Sequence, residues 1–201
     1  PATPPVIHVR TPVEIERRER SPAEQNRAFT FVGRLTVEKC PELLAEAAHS
    51  VGAPSVFVGD GTQREAIERA NPEATITGWI ASEEVAPLTA RARALCVTSK
   101  WSEAAPMVVF DALALGIPIV VSDACAAQEF VEDGVTGLLF RNNDAAHLAE
   151  CLRRLEDDTL VQAMSEAAYE RFWANPPTLV AHVEDLTAAY DRILDLPGPT
   201  R

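Results

Sequence analysis

Several residue types and patterns are missing from this 201-residue chain, and their absence excludes several classes of protein. The sequence has no run of about 18 apolar residues, so we expect no membrane-spanning helix, and its first residues do not resemble a secretion signal. The four histidines occur singly, without H-E-x-x-H or Cys/His ligand spacing, which argues against a zinc site. The G-x-S-x-G motif is also missing, which argues against a covalent acyl-transfer enzyme.

Positive charge is scarce as well, since 18 basic residues face 30 acidic residues for a net charge of −12. Most of the excess negative charge lies in residues 101–201, which hold 6 basic and 17 acidic residues. This charge balance disfavours nucleic-acid binding. Lys39 and Lys100 are the only lysines. The four cysteines are widely spaced in mostly apolar surroundings, which is typical of buried thiols in a reducing compartment, so we expect a cytoplasmic protein.

Short β-rich runs alternate with helical periodicity from Ala28 onward, which predicts an α/β fold, a Rossmann-like parallel sheet flanked by helices. The predicted strands are 29–32, 55–58, 74–77, 94–99, 117–121 and 137–140. The predicted helices are about 41–51, 63–70, 83–92, 107–115, 144–156 and 160–173.

Three regions follow from this pattern. Residues 1–27 are rich in proline and charge and predict a linker or N-terminal arm, with one edge strand at residues 6–9. Residues 28–175 form the Rossmann-like domain, and residues 176–201 form a C-terminal helix and tail. This last helix carries an apolar stripe that needs a covering surface: Leu179, Val183, Leu186, Tyr190 and Ile193.

Ligands of open parallel sheets bind beyond the carboxyl ends of the strands, so the residues after each predicted strand are the candidates. After the first strand, Gly33, Arg34 and Lys39 bring two cations close to a helix N-terminus, which suits an anion. Surface ion pairs of these cations with Glu38 and Glu42 are an equally good interpretation on spacing alone.

Two further segments carry glycine. Gly59-Asp60-Gly61 resembles the opening of G-x-G-x-x-G, but Arg64 occupies the third glycine position, so a tight turn is favoured over cofactor contact. Trp79 follows Gly78, and its ring either stacks on a base or covers the core. Core packing is the favoured interpretation.

The densest segment is 98–111, which runs from the end of a strand into a helix and leaves the first amides near Met107 to Val109 available to an anion. Glu103 lies in the loop and Asp111 about one turn inside the helix, so two carboxylates can flank one ligand. A glycosidase acid and nucleophile, or a helix cap and a solvated carboxylate, fit the same pair, and these roles stay open. After the fifth strand, Asp123 is predicted to cap a helix.

Taken in order, the segments FVGRLTVEK, VFVGDGTQREAIE, ITGWI, CVTSKWSEAAPMVVFDALALGIPIVVSD and QEFVEDGVTGLLF resemble one family. They are similar to the C-terminal, donor-binding half of a retaining glycosyltransferase of the GT-B fold, in glycosyltransferase family four. The resemblance covers Phe29 to Glu156. It implies a nucleotide-diphospho-sugar donor, retaining transfer to a hydroxyl acceptor, no cofactor and no obligatory metal.

The resemblance also assigns roles to individual residues. Arg34 and Lys39 would hold the diphosphate, and Glu103 would contact the sugar hydroxyls, so these three are the implied catalytic residues. Asp111 stands where the family usually has Glu and would bind the ribose. The other implied substrate-binding residues are Gly33, Gly59, Asp60, Gly61, Gly78, Trp79, Ile80, Ser99, Ala105, Pro106, Met107 and Val108.

In the family, an N-terminal domain binds the acceptor, and the match does not include such a domain. We therefore expect an excised donor domain or a subunit completed by another chain, which binds donor but transfers poorly by itself. Two alternatives are half of a nucleotide-sugar epimerase and a non-catalytic nucleotide-sugar-binding module. A dehydrogenase stays open through fold analogy alone, because the glycine fingerprint is incomplete.

Overall fold

A computed structural model describes residues 7, 9, 11–100 and 107–194. Within these residues six strands form one sheet of order β3-β2-β1-β4-β5-β6, and every neighbouring pair is parallel. The strands are β1 (Ala28–Val32), β2 (Ser55–Val58), β3 (Thr75–Gly78), β4 (Ala92–Val97), β5 (Ile119–Ser122) and β6 (Gly137–Phe140). The predicted Rossmann-like α/β fold is confirmed, and the strand bounds agree within two residues.

The helices are α1 (Pro41–Val51), α2 (Arg64–Ala70), α3 (Ser82–Thr89), α4 (Met107–Leu115), α5 (Ala145–Arg154), α6 (Asp158–Ala174) and α7 (Leu179–Leu194). Helices α1, α2 and α5 pack together, and α3, α4 and α6 form a second group. Pro41 begins α1, where its missing N–H costs nothing, and the Asp144 side chain caps α5 by accepting the His147 N–H.

A few elements differ from the sequence-based predictions. Helix α3 ends at Thr89, before the predicted Ala92, because Ala92 already pairs in β4 with Ala28. Two short 3-10 helices, Ala23–Gln25 and Ala126–Phe130, were not predicted. Of the predicted edge strand at residues 6–9, Ile7 and Val9 are not in a strand, and residues 6 and 8 lie outside the described residues.

The strand order reverses direction between β1 and β4. From β1 the chain moves outward to β2 and β3, and it then returns to β4 on the other side of β1. At such a switch point the loops after the two strands diverge and leave a crevice at the carboxyl edge of the sheet. The loops after β1 and β4 therefore border the position where an open α/β sheet takes its ligand.

The core lies on both faces of the central strands, since every residue of β4 and β5 is buried. Burial on both faces explains why these strands appear in the sequence as apolar runs without alternation. All four cysteines are buried free thiols, as predicted. Burial raises the pKa of the Cys151 thiol to about 11.

Arg93 is an exception in this apolar core. Its side chain is 3% exposed and pairs with Asp158, with 2.6 Å between Nη2 and Oδ1. The guanidinium also donates to backbone carbonyls of Glu24, Asn26, Leu155 and Glu156. Arg93 therefore joins the start of β4 to the segment before β1 and to the connection between α5 and α6.

The chain divides into two compact units, residues 17–174 and residues 1–16 with 175–201. The larger unit holds the sheet and α1 to α6, and also residues 17–27 of the arm, where Arg20 pairs with Glu24 and donates to Ser165.

In the smaller unit, the Val13 N–H donates to the Pro177 carbonyl at 2.8 Å. Of the predicted stripe on α7, Leu179, Val183, Tyr190 and Ile193 are each more than half exposed. No helix within the described residues has the length and apolar character needed to cross a bilayer.

Candidate functional site

The turns after β1 and β2 lie against each other at the carboxyl edge of the sheet. The Gly33 N–H donates to the Val58 carbonyl, and the Leu35 N–H donates to the Asp60 carbonyl, both at 2.9 Å. The Gln63 N–H in turn donates to the Leu35 carbonyl at 2.9 Å. The loop that carries Arg34 is therefore held by backbone hydrogen bonds along the turn after β2.

This close approach requires glycine after β2. Gly59 has φ 143°, and a Cβ atom there would lie 2.0 Å from the Gly33 carbonyl oxygen. Gly61 has φ 154°, and its Cβ would lie 2.4 Å from the Leu35 carbonyl oxygen. The preference for a glycine turn over a dinucleotide fingerprint agrees with this geometry, and the tightness comes from the neighbouring loop as well as from the turn itself.

A cavity of about 250 Å³ opens beside these turns. Near the cavity, an isolated antiparallel β-bridge between Gly59 and Gly78 joins the turn after β2 to the end of β3. The cavity is lined by Val32, Gly33, Val58, Gly59, Trp79, Ile80, Ser82 and Val85. It brings together four of the predicted site residues, namely Gly33, Gly59, Trp79 and Ile80.

Trp79 is 71% exposed although it lines this cavity. The favoured prediction that its ring covers the core is therefore wrong. The residue follows the edge strand β3, whose burial alternates between exposed and half-buried, so little core lies beneath it. An exposed indole beside a cavity offers a flat apolar surface for a planar ligand.

Arg34 lies in the loop between β1 and α1. Its side chain is 63% exposed and faces Glu38, with 4.0 Å between Nη2 and Oε1. Exposed pairs of this kind contribute little to stability, so the guanidinium can exchange its partner for a ligand. Both the ion pair and the anion-binding interpretation of the sequence are compatible with this position.

The backbone of Lys39 is well defined by hydrogen bonds. Its N–H donates to the Thr36 carbonyl at 3.0 Å, and its carbonyl accepts from the Thr98 hydroxyl at 2.7 Å. The Lys100 N–H donates to the Glu38 carbonyl at 3.1 Å. The loop after β4 thus holds the end of the loop after β1, across the switch point of the sheet.

Cys40 connects Lys39 to helix α1 in an uncommon conformation. It has φ 46°, in the left-handed region that a residue with a side chain seldom adopts, and its thiol contacts the Val37 carbonyl oxygen at 3.0 Å. Burial raises the pKa of the Cys40 thiol, and the neighbouring Glu42 raises it further, while Lys100 opposes both effects. Its surroundings therefore favour the neutral thiol, which contacts the Val37 carbonyl.

The loop after β4 is described as far as Lys100. Ser99 is buried. Glu103, Ala105 and Pro106 lie outside the described residues, so the predicted contact of Glu103 with a sugar stays a prediction.

Helix α4 is described from Met107 to Leu115, with Met107 exposed and Val108 half-buried. Asp111 is half-buried one turn further on, and burial raises the pKa of its carboxyl group. The interpretation of Asp111 as a solvated carboxylate is therefore wrong.

Two acidic residues after strands have structural partners. The Asp60 carboxylate accepts from the Gly61 N–H at 2.8 Å and lies 3.7 Å from an Arg64 guanidinium nitrogen. Asp123 does not cap a helix, so that prediction is wrong. Its carboxylate accepts the Asn142 N–H at 2.8 Å and joins the end of β5 to the residues after β6.

Sequence reasoning missed several residues of this edge. Ser82 and Val85 line the cavity from α3, and Thr98 binds the Lys39 carbonyl. The sequence feature that could have identified Thr98 is a hydroxyl directly after an apolar strand that borders the switch point. Within the described residues, no group of three or more His, Cys, Asp or Glu side chains is placed to hold a metal ion.

Comparisons with known proteins give a consistent result. The sequence profile of the family described as glycosyl transferases group 1 matches residues 12–171. An alpha-D-kanosaminyltransferase of Streptomyces kanamyceticus is 27% identical over 89% of this chain and 47% of its own length. A GDP-mannose-dependent alpha-mannosyltransferase of Corynebacterium glutamicum is 30% identical over 92% of this chain and 46% of its own.

The fold is also found in solved structures. The Anabaena protein Alr3699/HepE, crystallised with UDP and glucose, superposes with a TM-score of 0.77 at 19% identity, over 92% of this chain and 56% of that one. At this identity the likeness concerns the fold. The chain spans under half the length of the two curated relatives.

Proposed function

Since this chain belongs to the glycosyl transferases group 1 family, we propose that it is the donor-binding domain of a retaining glycosyltransferase. It binds a nucleotide-diphospho-sugar and, together with an acceptor-binding domain, transfers the sugar to a hydroxyl group. The observation that carries this proposal is one edge of the sheet with an apolar cavity, two basic residues and the helix α4 that follows β4 in the chain. The cavity suits the base of a nucleotide-diphospho-sugar, and the basic residues and the helix suit its negatively charged diphosphate.

The cavity takes the nucleoside. Its walls come from the ends of β1 and β2 and from the residues after β3, and Trp79 offers an exposed ring. Stacking of a base on an aromatic side chain contributes about 1–3 kcal/mol. Gly33 and Gly59 keep the backbone close to the ligand because neither carries a side chain. Ile80 completes this wall, and Gly78 is bridged to Gly59 beside it.

The diphosphate lies over the loop after β1. We propose that Arg34 and Lys39 neutralise its charge and that the amides of Met107 and Val108, at the beginning of the described part of α4, donate to it. Ser99 lies in the loop after β4, and we propose Ala105 and Pro106, which are outside the described residues, as further donor contacts. We propose that these positive groups make a metal ion unnecessary.

Asp111 binds the ribose hydroxyls. Burial already disfavours its charged form, and hydroxyl donors from a ribose would compensate for the lost hydration. Asp60 and Gly61 hold the turn that supports Leu35, so their role in donor binding is to shape the loop.

The reaction follows from this placement. The bond between the sugar anomeric carbon and the diphosphate oxygen breaks, and the acceptor oxygen forms the new bond on the same face. The acceptor proton passes to the leaving diphosphate. Arg34 and Lys39 stabilise the charge that develops on that diphosphate, while Glu103 orients the sugar. The chain itself supplies no nucleophile in this scheme.

The acceptor-binding domain is the proposed partner. The relatives are more than twice as long as the matched region, and the exposed apolar residues of α7 offer a surface for such a domain. Transfer by this chain alone should be slow, because the acceptor is then not oriented. We also propose a cytoplasmic location, which the four free thiols support.

The test is calorimetric titration with UDP, GDP, ADP and dTDP, each beside its parent nucleoside, with and without magnesium. We expect one diphosphate to bind saturably and without a need for magnesium. Arg34→Ala and Lys39→Ala should weaken diphosphate binding about tenfold or more and leave nucleoside binding nearly unchanged. Arg91→Ala removes an exposed cation before β4 and is the matched control.

Each outcome decides something. Equal loss of diphosphate and nucleoside binding would contradict the diphosphate assignment. Absence of binding by every diphosphate would contradict a donor site formed by this domain alone. Donor binding without sugar transfer, after an acceptor domain from a relative is supplied, would favour a non-catalytic nucleotide-sugar module.

A further inference from the structure

We propose that Thr98 is a positioning residue for the donor diphosphate. Its hydroxyl holds the backbone of Lys39, so that the loop carrying Arg34 and Lys39 keeps the shape that receives the diphosphate. This inference rests on the proposed function, since it concerns the same site. Thr98 itself does not contact the ligand in this proposal.

The first observation is the position of Thr98. It directly follows β4, is fully buried, and donates from Oγ1 to the Lys39 carbonyl oxygen at 2.7 Å. The two residues are 59 positions apart in the chain, so the bond joins two separate loops. These are the loops after β1 and after β4, which border the switch point.

The second observation is that the loop after β1 is held from both sides. On the β2 side, the carbonyls of Val58 and Asp60 accept the N–H groups of Gly33 and Leu35. On the β4 side, the Thr98 hydroxyl and the Lys100 N–H donate to two consecutive carbonyls, those of Lys39 and Glu38. Of these bonds, the one from Thr98 is made by a side chain, so a substitution can remove it.

The third observation is that this loop ends in an unfavourable conformation. Cys40, the residue after Lys39, has φ 46° and carries a side chain. Such a conformation persists when surrounding contacts impose it. The thiol of Cys40 contacts the Val37 carbonyl in its own loop and interacts with Lys100 in the loop after β4, whereas the Thr98 hydroxyl binds the carbonyl of the preceding residue, Lys39. Loss of the Thr98 bond therefore releases the carbonyl next to the strained residue.

The experiment compares Thr98→Val with wild type by calorimetric titration of the nucleoside diphosphate that wild type binds, and of its parent nucleoside. Valine keeps the branched shape and removes the hydroxyl. We expect the diphosphate Kd to rise about tenfold, on the order of one lost hydrogen bond, and the nucleoside Kd to change by less than about twofold. Thr98→Ser restores a hydroxyl and should return the diphosphate Kd close to wild type.

Thr136→Val is the matched control. Thr136 is also buried, its hydroxyl accepts the Glu132 N–H at 2.9 Å, and it precedes β6 at the opposite edge of the sheet. This variant should lose stability but keep the wild-type difference between diphosphate and nucleoside binding.

Several results would overturn the inference. Wild-type diphosphate affinity in Thr98→Val would show that the hydroxyl is dispensable. A diphosphate loss in Thr98→Ser as large as in Thr98→Val would assign the effect to packing. If Thr98→Val does not fold, Thr98→Cys takes its place, since a thiol is a weak donor, and wild-type affinity there overturns the proposal. Failure of the proposed function is distinct, because wild type itself would then bind no diphosphate.

Discussion

Arg93 and Arg34 lie at opposite ends of the same sheet and illustrate two uses of one side chain. Arg93, at the amino end of β4, is 3% exposed, and its guanidinium is engaged with four carbonyls and the Asp158 carboxylate. Arg34, beyond the carboxyl end of β1, is 63% exposed and has a 4.0 Å contact with Glu38. The Arg93 guanidinium stabilises the fold through its hydrogen bonds, whereas the Arg34 guanidinium can donate hydrogen bonds to a ligand.

The two edges of the sheet differ in the same way. At the amino edge, a buried cation ties three segments together. At the carboxyl edge, glycine turns bring backbones into contact, and the apolar side chains of Val37, Trp79 and Met107, which follow β1, β3 and β4 in the chain, are exposed. Stability is therefore concentrated at one edge, and ligand-accessible surface at the other.

The largest expected effect is on the stable edge. Arg93→Ala should lower the free energy of unfolding by about 3–5 kcal/mol, because four backbone carbonyls lose their donor and Asp158 loses its 2.6 Å contact. Urea denaturation followed by circular dichroism measures this change. Arg27→Ala is the control, since Arg27 also faces Asp158, at 3.6 Å, but is 71% exposed. Its effect should stay within about 0.5 kcal/mol, and a loss as large as that of Arg93→Ala would remove the contrast.

The next effect concerns the glycine turns. Gly59→Ala should cost about 3 kcal/mol of stability, because the new Cβ would overlap the Gly33 carbonyl at a positive φ. Gly52 also has positive φ, 67°, but a Cβ there meets nothing within 4 Å. Gly52→Ala should therefore cost about 1 kcal/mol. Thermal unfolding of both variants separates the steric overlap of the new Cβ atom from the backbone strain of a positive φ. Equal losses of stability would show that the loops after β1 and β2 do not constrain each other.

Trp79→Ala tests whether the exposed indole at the carboxyl edge binds the nucleoside. We expect nucleoside binding to weaken about tenfold, while stability changes by less than about 0.5 kcal/mol because the ring is exposed. Tyr190→Ala removes an aromatic ring of similar exposure from α7 and should leave nucleoside binding unchanged. Calorimetric titration of both variants with the nucleoside checks this, and unchanged binding by Trp79→Ala would exclude the indole from the site.

The smallest expected effect is a pH dependence at the stable edge. The hydrogen bond from Arg93 lowers the pKa of the Asp158 carboxyl below its usual 3.8, and the charges of Arg93 and Arg27 act in the same direction. A lowered folded-state pKa contributes stability above the unfolded value and loses it as the pH falls further.

Wild type should therefore be more stable than Asp158→Asn near about pH 7, and the difference should shrink below about pH 4. Urea denaturation of both proteins across this range is the measurement. A difference that is the same at both ends of the range would contradict an ionised pair. Thr159, next to Asp158, offers Thr159→Val as a control without a titratable group.

Sequence reasoning succeeded where burial and periodicity act locally. The parallel sheet was predicted because β4 and β5 are buried on both faces and so are apolar apart from Arg93 and Ser122. Helix α4, described from Met107 to Leu115, followed from the change to helical periodicity. It failed where a partner distant in the chain decides, as for Asp123, whose carboxylate binds the Asn142 N–H rather than its own helix.

The candidate site shows the same division. The sequence by itself determined the fold class, the glycine turns and the basic residues after β1, because these depend on short patterns along the chain. The tertiary structure decided that Trp79 is exposed beside a cavity, that Gly59 packs on Gly33 and that Thr98 holds Lys39. The physical reason is that contacts between loops after different strands depend on strand order and register, and neither is encoded within a single segment.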